Sequence, residues 1–192
     1  MIAQAIAFLI DTLATLLIVA LLLRFWLQAA RAPFNNPLAG FLAAVTNWGV
    51  RPLRRVVPGL WGLDLATLVL AWLTAWALEL LLSVLGLGTA GLYGSGATWL
   101  ISALLAVVQL LRVFIYMLLT VVIVQAVLSW VSPYSPVAPL LVLLSRPFLR
   151  PIQMRIKPVS GFDLAPLVLL IVCQLALILL VGGLQTLILG LR

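Results

Sequence analysis

Four stretches of this chain stay apolar for longer than the core elements of a soluble domain. The first runs from Ile2 to Leu23, is broken by Gln4 and Asp11, and ends at Arg24. The second runs from Leu65 to Leu87 with Glu79 inside it, and the fourth from Leu164 to Val181, with room to extend to Leu189. At ~1.5 Å of rise per residue, each is long enough to cross a hydrocarbon layer of ~30 Å as a helix. The third stretch, Ala97 to Val131, is apolar apart from Arg112 and a few uncharged polar residues. As one straight helix it would measure ~52 Å, too long for one perpendicular crossing. The pattern therefore predicts either two crossings, or one helix over about Val113 to Val131 preceded by a segment lying in the outer interface.

Charge decides between these. Loop 24–63 holds Arg24, Arg31, Arg51, Arg54 and Arg55, and loop 132–162 holds Arg146, Arg150, Arg155 and Lys157; neither holds an acid. Together they carry nine of the eleven basic residues. Cytoplasmic loops collect Lys and Arg, so both loops belong on the same, inner side. An even number of crossings must separate them, which selects four spans with both termini outside. No Lys or Arg precedes Arg24, so the first run reads as a retained helix rather than a signal peptide.

Composition agrees. The chain is 66% apolar and only 8% charged, with a mean hydropathy of +1.32, where a soluble domain carries about 25% charged residues. The net charge of +7 is explained by topology, and no nucleic-acid partner is expected. There is no histidine and a single cysteine, Cys173, inside an apolar run, where it reads as a small hydrophobe. That removes disulfide frameworks, Cys/His metal sites and imidazole triads. With four acids, unpaired in sequence, the chain reads as non-enzymatic, with no cofactor and no metal.

The two halves echo each other. Arg51-Pro52 lies 99 residues before Arg150-Pro151, and at the same offset Gly62-Leu63-Asp64-Leu65-Ala66 matches Gly161-Phe162-Asp163-Leu164-Ala165. A fixed internal period marks a duplicated unit. Each unit holds two spans, an even number, so the copies should run parallel, over residues 1–96 and 97–192. The fold class expected is an all-α membrane protein of two repeats, each helix, basic amphipathic loop, helix. Asp64 and Asp163, each before an apolar run, read as caps for the orphan N–H groups of the second and fourth spans.

The basic loops read as short amphipathic helices on the inner leaflet. Asn47, Arg51, Arg54 and Arg55 share one side, as do Arg146, Arg150 and Lys157, with Arg155 pointing away. Leu53, Val56, Phe148 and Ile152 fill the apolar side. The cations would meet anionic headgroups, at ~1 kcal/mol each. Trp26, Trp48, Trp61 and Trp130 are placed to form an aromatic belt.

Leu21-Leu22-Leu23-Arg24, Phe34-Asn35-Asn36-Pro37, Arg51-Pro52-Leu53-Arg54-Arg55-Val56-Val57-Pro58 and the Asp64 turn resemble the first half of a YggT-family protein. Ser129-Trp130, Arg146-Pro147-Phe148-Leu149-Arg150-Pro151-Ile152 and Gly161-Phe162-Asp163-Leu164-Ala165-Pro166 resemble the second half. Departures are Gln153-Met154 in place of a second basic pair, and Thr67 where the other copy has Pro166. The resemblance implies a bacterial inner-membrane protein with two repeats. It also implies links to osmotic or ion homeostasis, to division and to membrane-complex biogenesis.

Asp11, Glu79 and Arg112 fall inside apolar runs, where a charge is costly and marks a site by default. Counting rises from the basic ends places all three in the outer third of the membrane and predicts that Arg112 pairs with Glu79 or Asp11. A pore would stack polar residues along one helix face, whereas Gln109, Gln125 and Gln174 are scattered in depth. The sequence thus favours a scaffold or assembly factor that binds other membrane proteins or its own copies. The rival is a small transport component in ion or osmotic balance.

Overall fold

A computed structural model of the chain describes residues 1–33, 37–59, 62–85, 96–132, 135, 137–156 and 163–190. Four helices dominate, each long and apolar enough to cross a membrane: spans Gln4–Ala29, Leu65–Val84, Trp99–Ser129 and Ala165–Leu189. The protein is an all-α, multi-pass membrane protein. In chain order the elements are α1 (Ile2–Ala29), α2 (Pro37–Leu53), α3 (Leu65–Val84), α4 (Gly96–Val131), α5 (Ala138–Gln153), α6 (Ala165–Leu175) and α7 (Gly182–Leu189). A π-helical segment, Ala176–Val181, joins α6 to α7 without a break.

The first helix exceeds its apolar run. Arg24 does not end α1, which continues to Ala29. There the backbone N–H of Ala30 bonds the carbonyl of Trp26, that of Arg31 bonds Gln28, and that of Ala32 bonds Leu27. These bonds satisfy carbonyls that the helix end would otherwise leave unpaired. Arg31 itself adopts φ +52°, in the left-handed region.

The third apolar region is one unbroken helix of 36 residues. The interfacial segment expected before Val113 does not form. Residues 97–112 instead pack against α3: the Trp72 indole N–H donates to the carbonyl of Ala103 at 3.1 Å, and that of Trp76 to the Ser102 hydroxyl at 3.0 Å. Those two indoles, stacked at 5.3 Å, give the first half of α4 a partner, which is what the argument from length alone leaves out.

Register follows from these contacts. Gln28, at the end of α1, bonds Gly62, just before the start of α3, and the two helices share a cavity lined by Ile10, Leu17, Leu73 and Leu81, so they run antiparallel. Rising along α3, Trp72 meets Ala103 and Trp76 meets Ser102 and Trp99, so α3 and α4 are antiparallel too. Trp26, near the end of α1, packs on Phe114 of α4 at 5.0 Å and on Phe148 of α5 at 6.1 Å. α1, α3 and α7 flank the first half of α4, where Ile188 and Leu189 pack on Ile101 and Leu105, while α5 and α6 lie along its second half, where Ser145 meets Gln125. One continuous core joins them, centred on Ile18, Leu21, Leu27, Val122, Leu144 and Val181. Trp26, expected in the interfacial belt, is 5% exposed in this core. Trp48 is 67% exposed. Trp61 and the Trp130 side chain lie outside the described residues.

Both basic segments contain helices longer than their cationic stretches. α2 buries Ala39, Leu42, Thr46, Gly49 and Val50 against α1 and α3. It sits close: a Cβ on Gly49 would come within 2.7 Å of Leu70 Cδ2. Arg51 is exposed near the end of α2, and Arg54 and Arg55 fall in the turn beyond it. α5 buries Leu141, Leu144, Ser145 and Leu149, and exposes Arg146 and Arg150. Arg155 is exposed in the turn after α5, and Lys157 lies outside the described residues.

Candidate functional site

The densest polar cluster in the described residues lies where the end of α1, the end of α2 and the start of α3 meet. Each side chain gets there by local necessity. Arg24 is only 9% exposed, so its guanidinium must find partners. It donates to the Thr46 hydroxyl at 2.6 Å and to the Asn47 side-chain carbonyl at 2.9 Å, both on α2. Thr46 in turn donates to the carbonyl of Leu42. One cation thus fixes α2 across α1.

The second clamp holds α2 to α3. Asp64 precedes α3 at the N-cap position, and the chain reaches it through Gly62 at φ +80°, a conformation glycine adopts without steric cost. Its carboxylate is 4% exposed. Expected to cap α3, it is taken by side chains instead. Arg54 donates to Oδ2 from Nε at 3.0 Å and again from Nη2, and the Thr67 hydroxyl donates to the same oxygen at 2.6 Å. Among the described residues this is the ion pair recorded. Burial alone would push the Asp64 carboxyl up; the hydrogen bonds from Arg54 and Thr67, with the charges of Arg54 and Arg24, outweigh it and hold the group below the usual carboxylate range. The Arg54 guanidinium is raised in return by that hydrogen bond. A third link, from the Gln28 amide to the carbonyl of Gly62 at 3.1 Å, closes a polar cavity of about 350 Å³ that Gln28, Arg54, Gly62 and Asp64 help line.

A neutral counterpart sits in the second half. Gln153 donates to Oδ2 of Asp163 at 2.7 Å, across the same ten residues that separate Arg54 from Asp64. Asp163 Oδ1 accepts from the backbone N–H of Ala165, the first residue of α6, at 2.9 Å. Ser145 of α5 donates to the side chain of Gln125 on α4, much as Thr46 of α2 meets Arg24 on α1.

The membrane charges are arranged differently from expectation. Arg112 donates to Oε1 of Gln185 on α7 at 2.6 Å, and no ion pair with Glu79 or Asp11 is recorded among the described residues. Axial distance explains this. Trp76 sets Glu79 near the first turns of α4, and Arg112 lies ten residues beyond Ser102, so Arg112 and Glu79 are ~20 Å apart along the bundle. The depth count fails because the reference ends, Asp64 before α3 and Trp130 on α4, are not level: Trp76 lies 12 residues from the one and its partner Ser102 lies 28 from the other. Asp11 and Glu79 are both half-buried. Cys173 is a free, buried thiol.

The sequence signalled Arg54, Asp64 and Asp163 as important, but missed Arg24 as an interhelical ligand and Gln185 as the partner of Arg112. The available signal was the match of each buried cation to a hydroxyl or amide elsewhere in an otherwise apolar chain, Thr46 for Arg24 and Gln185 for Arg112.

This helix order and these clamps belong to a chain with relatives. A protein of Vibrio alginolyticus, described as an uncharacterized protein in the proC 3' region, is 36% identical over 174 residues, covering 90% of this chain and 91% of its own. An uncharacterized protein of Pseudomonas aeruginosa is 36% identical over 167 residues, 85% of this chain and 81% of its own. The uncharacterized protein YggT of Escherichia coli K12 is 31% identical over 173 residues, 88% and 85% of the two chains. No solved structure matches. A family model described as CCB3/YggT matches twice, over residues 3–85 and 104–184, each match spanning a basic loop and its flanking helices. The chain belongs to the CCB3/YggT family.

Proposed function

We propose that this protein is a non-enzymatic scaffold or assembly factor of the bacterial inner membrane, which holds other membrane proteins or its own copies through its helices and basic loops. The observation that carries this reading is how the polar side chains are spent. Arg24, Arg54, Asp64, Gln125, Gln153, Asp163 and Gln185 are each engaged across helices or at a helix start. They brace the bundle rather than face a substrate. Bacterial relatives and the two basic loops support the inner membrane as its location. The matching clamps, ten residues wide in each half, support two parallel repeats over 1–96 and 97–192.

Purification of the full chain in mild detergent, with identification of co-purifying proteins, tests the function. A stable complex with other membrane proteins is the expected result. A pure homo-oligomer that conducts ions in liposomes would establish the transport reading in its place.

The basic loops sit in the cytoplasm and both termini outside in this reading. A single cysteine at Ser135, placed in a Cys173→Ser background, should resist an impermeant thiol reagent in intact spheroplasts and react after lysis. Labelling before lysis would overturn the four-span topology.

A further inference from the structure

An apolar crevice runs along one side of the bundle and does not belong to the polar clamps. Its inner lobe, about 500 Å³, is lined by Leu22, Leu68, Trp72 and Leu110 with Phe25 and Phe114. Its outer lobe, about 260 Å³, shares Phe25 and Phe114 and adds Ala29, Ala30, Pro147 and Phe148. The two lobes adjoin at the shared rings and form a line of cavities between α1, α3, α4 and α5. It follows α1 from Leu22 to Ala30, ~12 Å along the axis.

The two ends of the groove differ. The inner end lies two turns inside the apolar span of α1, and the outer end coincides with the last residue of that span, Ala29. On α1 the groove thus runs from the end of the apolar span into it, while on α4 Phe114 meets it at the middle of that helix's span. At the Ala29 end, every charge next in sequence to the lining is positive. Arg31 follows Ala30, is exposed, and holds a left-handed conformation that favours glycine. Arg146 precedes Pro147 and Arg150 lies one turn further along α5, both exposed.

We propose that this groove binds one acyl chain of an anionic phospholipid, with the phosphate headgroup held by Arg31 and Arg146. An apolar slot capped by guanidinium groups matches that amphiphile at both ends. A second copy of this chain fits less well, because it would bring the same cations to the same rim and its own net charge of +7.

The test uses the full chain in phosphatidylcholine nanodiscs doped with a diazirine-tailed lipid, with labelled residues mapped by mass spectrometry. Phosphatidylglycerol is compared with phosphatidylcholine as the labelled lipid. Labelling is expected on Phe25, Phe114 and Phe148, favouring phosphatidylglycerol by about tenfold or more, the preference two arginines at a membrane surface supply. Arg31→Gln with Arg146→Gln should bring the two lipids to parity while labelling persists. Ala29→Trp, at an exposed position, should abolish groove labelling while the helical circular dichroism is retained. Three outcomes would overturn the proposal. One is equal labelling of the wild-type groove by both lipids. Another is labelling no denser in the groove than on exposed Leu179 and Leu187. The third is cross-links joining two chains through the groove. Because the wild-type map suffices for all three, failure of a variant to fold leaves the test intact.

Discussion

Replacing Asp64 with Asn is expected to destabilise the protein by ~2–3 kcal/mol, whereas Asp163→Asn should cost under about 1 kcal/mol. The two aspartates occupy matching motifs but do different work. Asp163 is exposed and accepts from a backbone N–H and from a neutral amide, and an Asn oxygen can accept both bonds. Asp64 is buried and accepts from a guanidinium twice and from a hydroxyl. Its charge also answers Arg24. Asn there would leave two cations facing an amide. Arg54 is half exposed, and solvent screening keeps the loss below the ~3–5 kcal/mol of breaking a fully buried pair. Arg54→Gln, which recreates the Gln153–Asp163 arrangement, should be milder than Asp64→Asn. The measurement is thermal unfolding in a fixed detergent; equal losses at Asp64 and Asp163 would reject the distinction.

The same carboxylate predicts a pH dependence. Its folded pKa is depressed, so its contribution is fully present above the ordinary value of 3.8 and is lost as pH falls through the lowered folded value. Wild-type stability should therefore decline with acid in that window, and Asp64→Asn should decline less steeply.

The second large effect is expected at Arg112. Gln185→Leu should destabilise the bundle by ~1.5–3 kcal/mol, because it strands a guanidinium inside an apolar helix pair. Arg112→Leu combined with Gln185→Leu should recover much of that loss, since no charge then remains to be solvated. Glu79→Gln with Arg112→Gln should be additive, given ~20 Å of axial separation. A coupled Glu79 cycle, or an uncoupled Gln185 cycle, measured by thermal unfolding, would contradict the register described for α4.

How much of this was legible in the sequence depended on range. The four spans were readable because each is a local property: twenty or more residues without enough charge to face water. The helical character of α2 and α5 was readable from periodicity. What failed needed partners. The extent of α4 could not be judged from its length, because Trp72 and Trp76, on another helix, supply the indole donors that seat its first half. Depths counted for Arg112 and Glu79 from separate helix ends agree only where those ends are level, and the ends of α3 and α4 are not. Asp64 and Asp163 looked alike because their motifs are alike. The residues that separate them, Arg54 and Gln153, lie ten positions away, and only folding shows that the tenth residue is the ligand.

The stagger of α1 and α3 against α5 and α6 along α4 also bears on the surrounding bilayer. The span Trp99–Ser129 has 31 residues, an apolar rod of ~46 Å against hydrocarbon of ~30 Å. Such mismatch is relieved by steep tilt or by lipids stretching locally around the rod, at fractions of a kcal/mol per Å. Anchored tryptophans on α3 prevent the first half of α4 from fraying to shorten it. The free energy of residence thus depends on lipid chain length, and the protein should partition toward the thickest bilayer regions open to it.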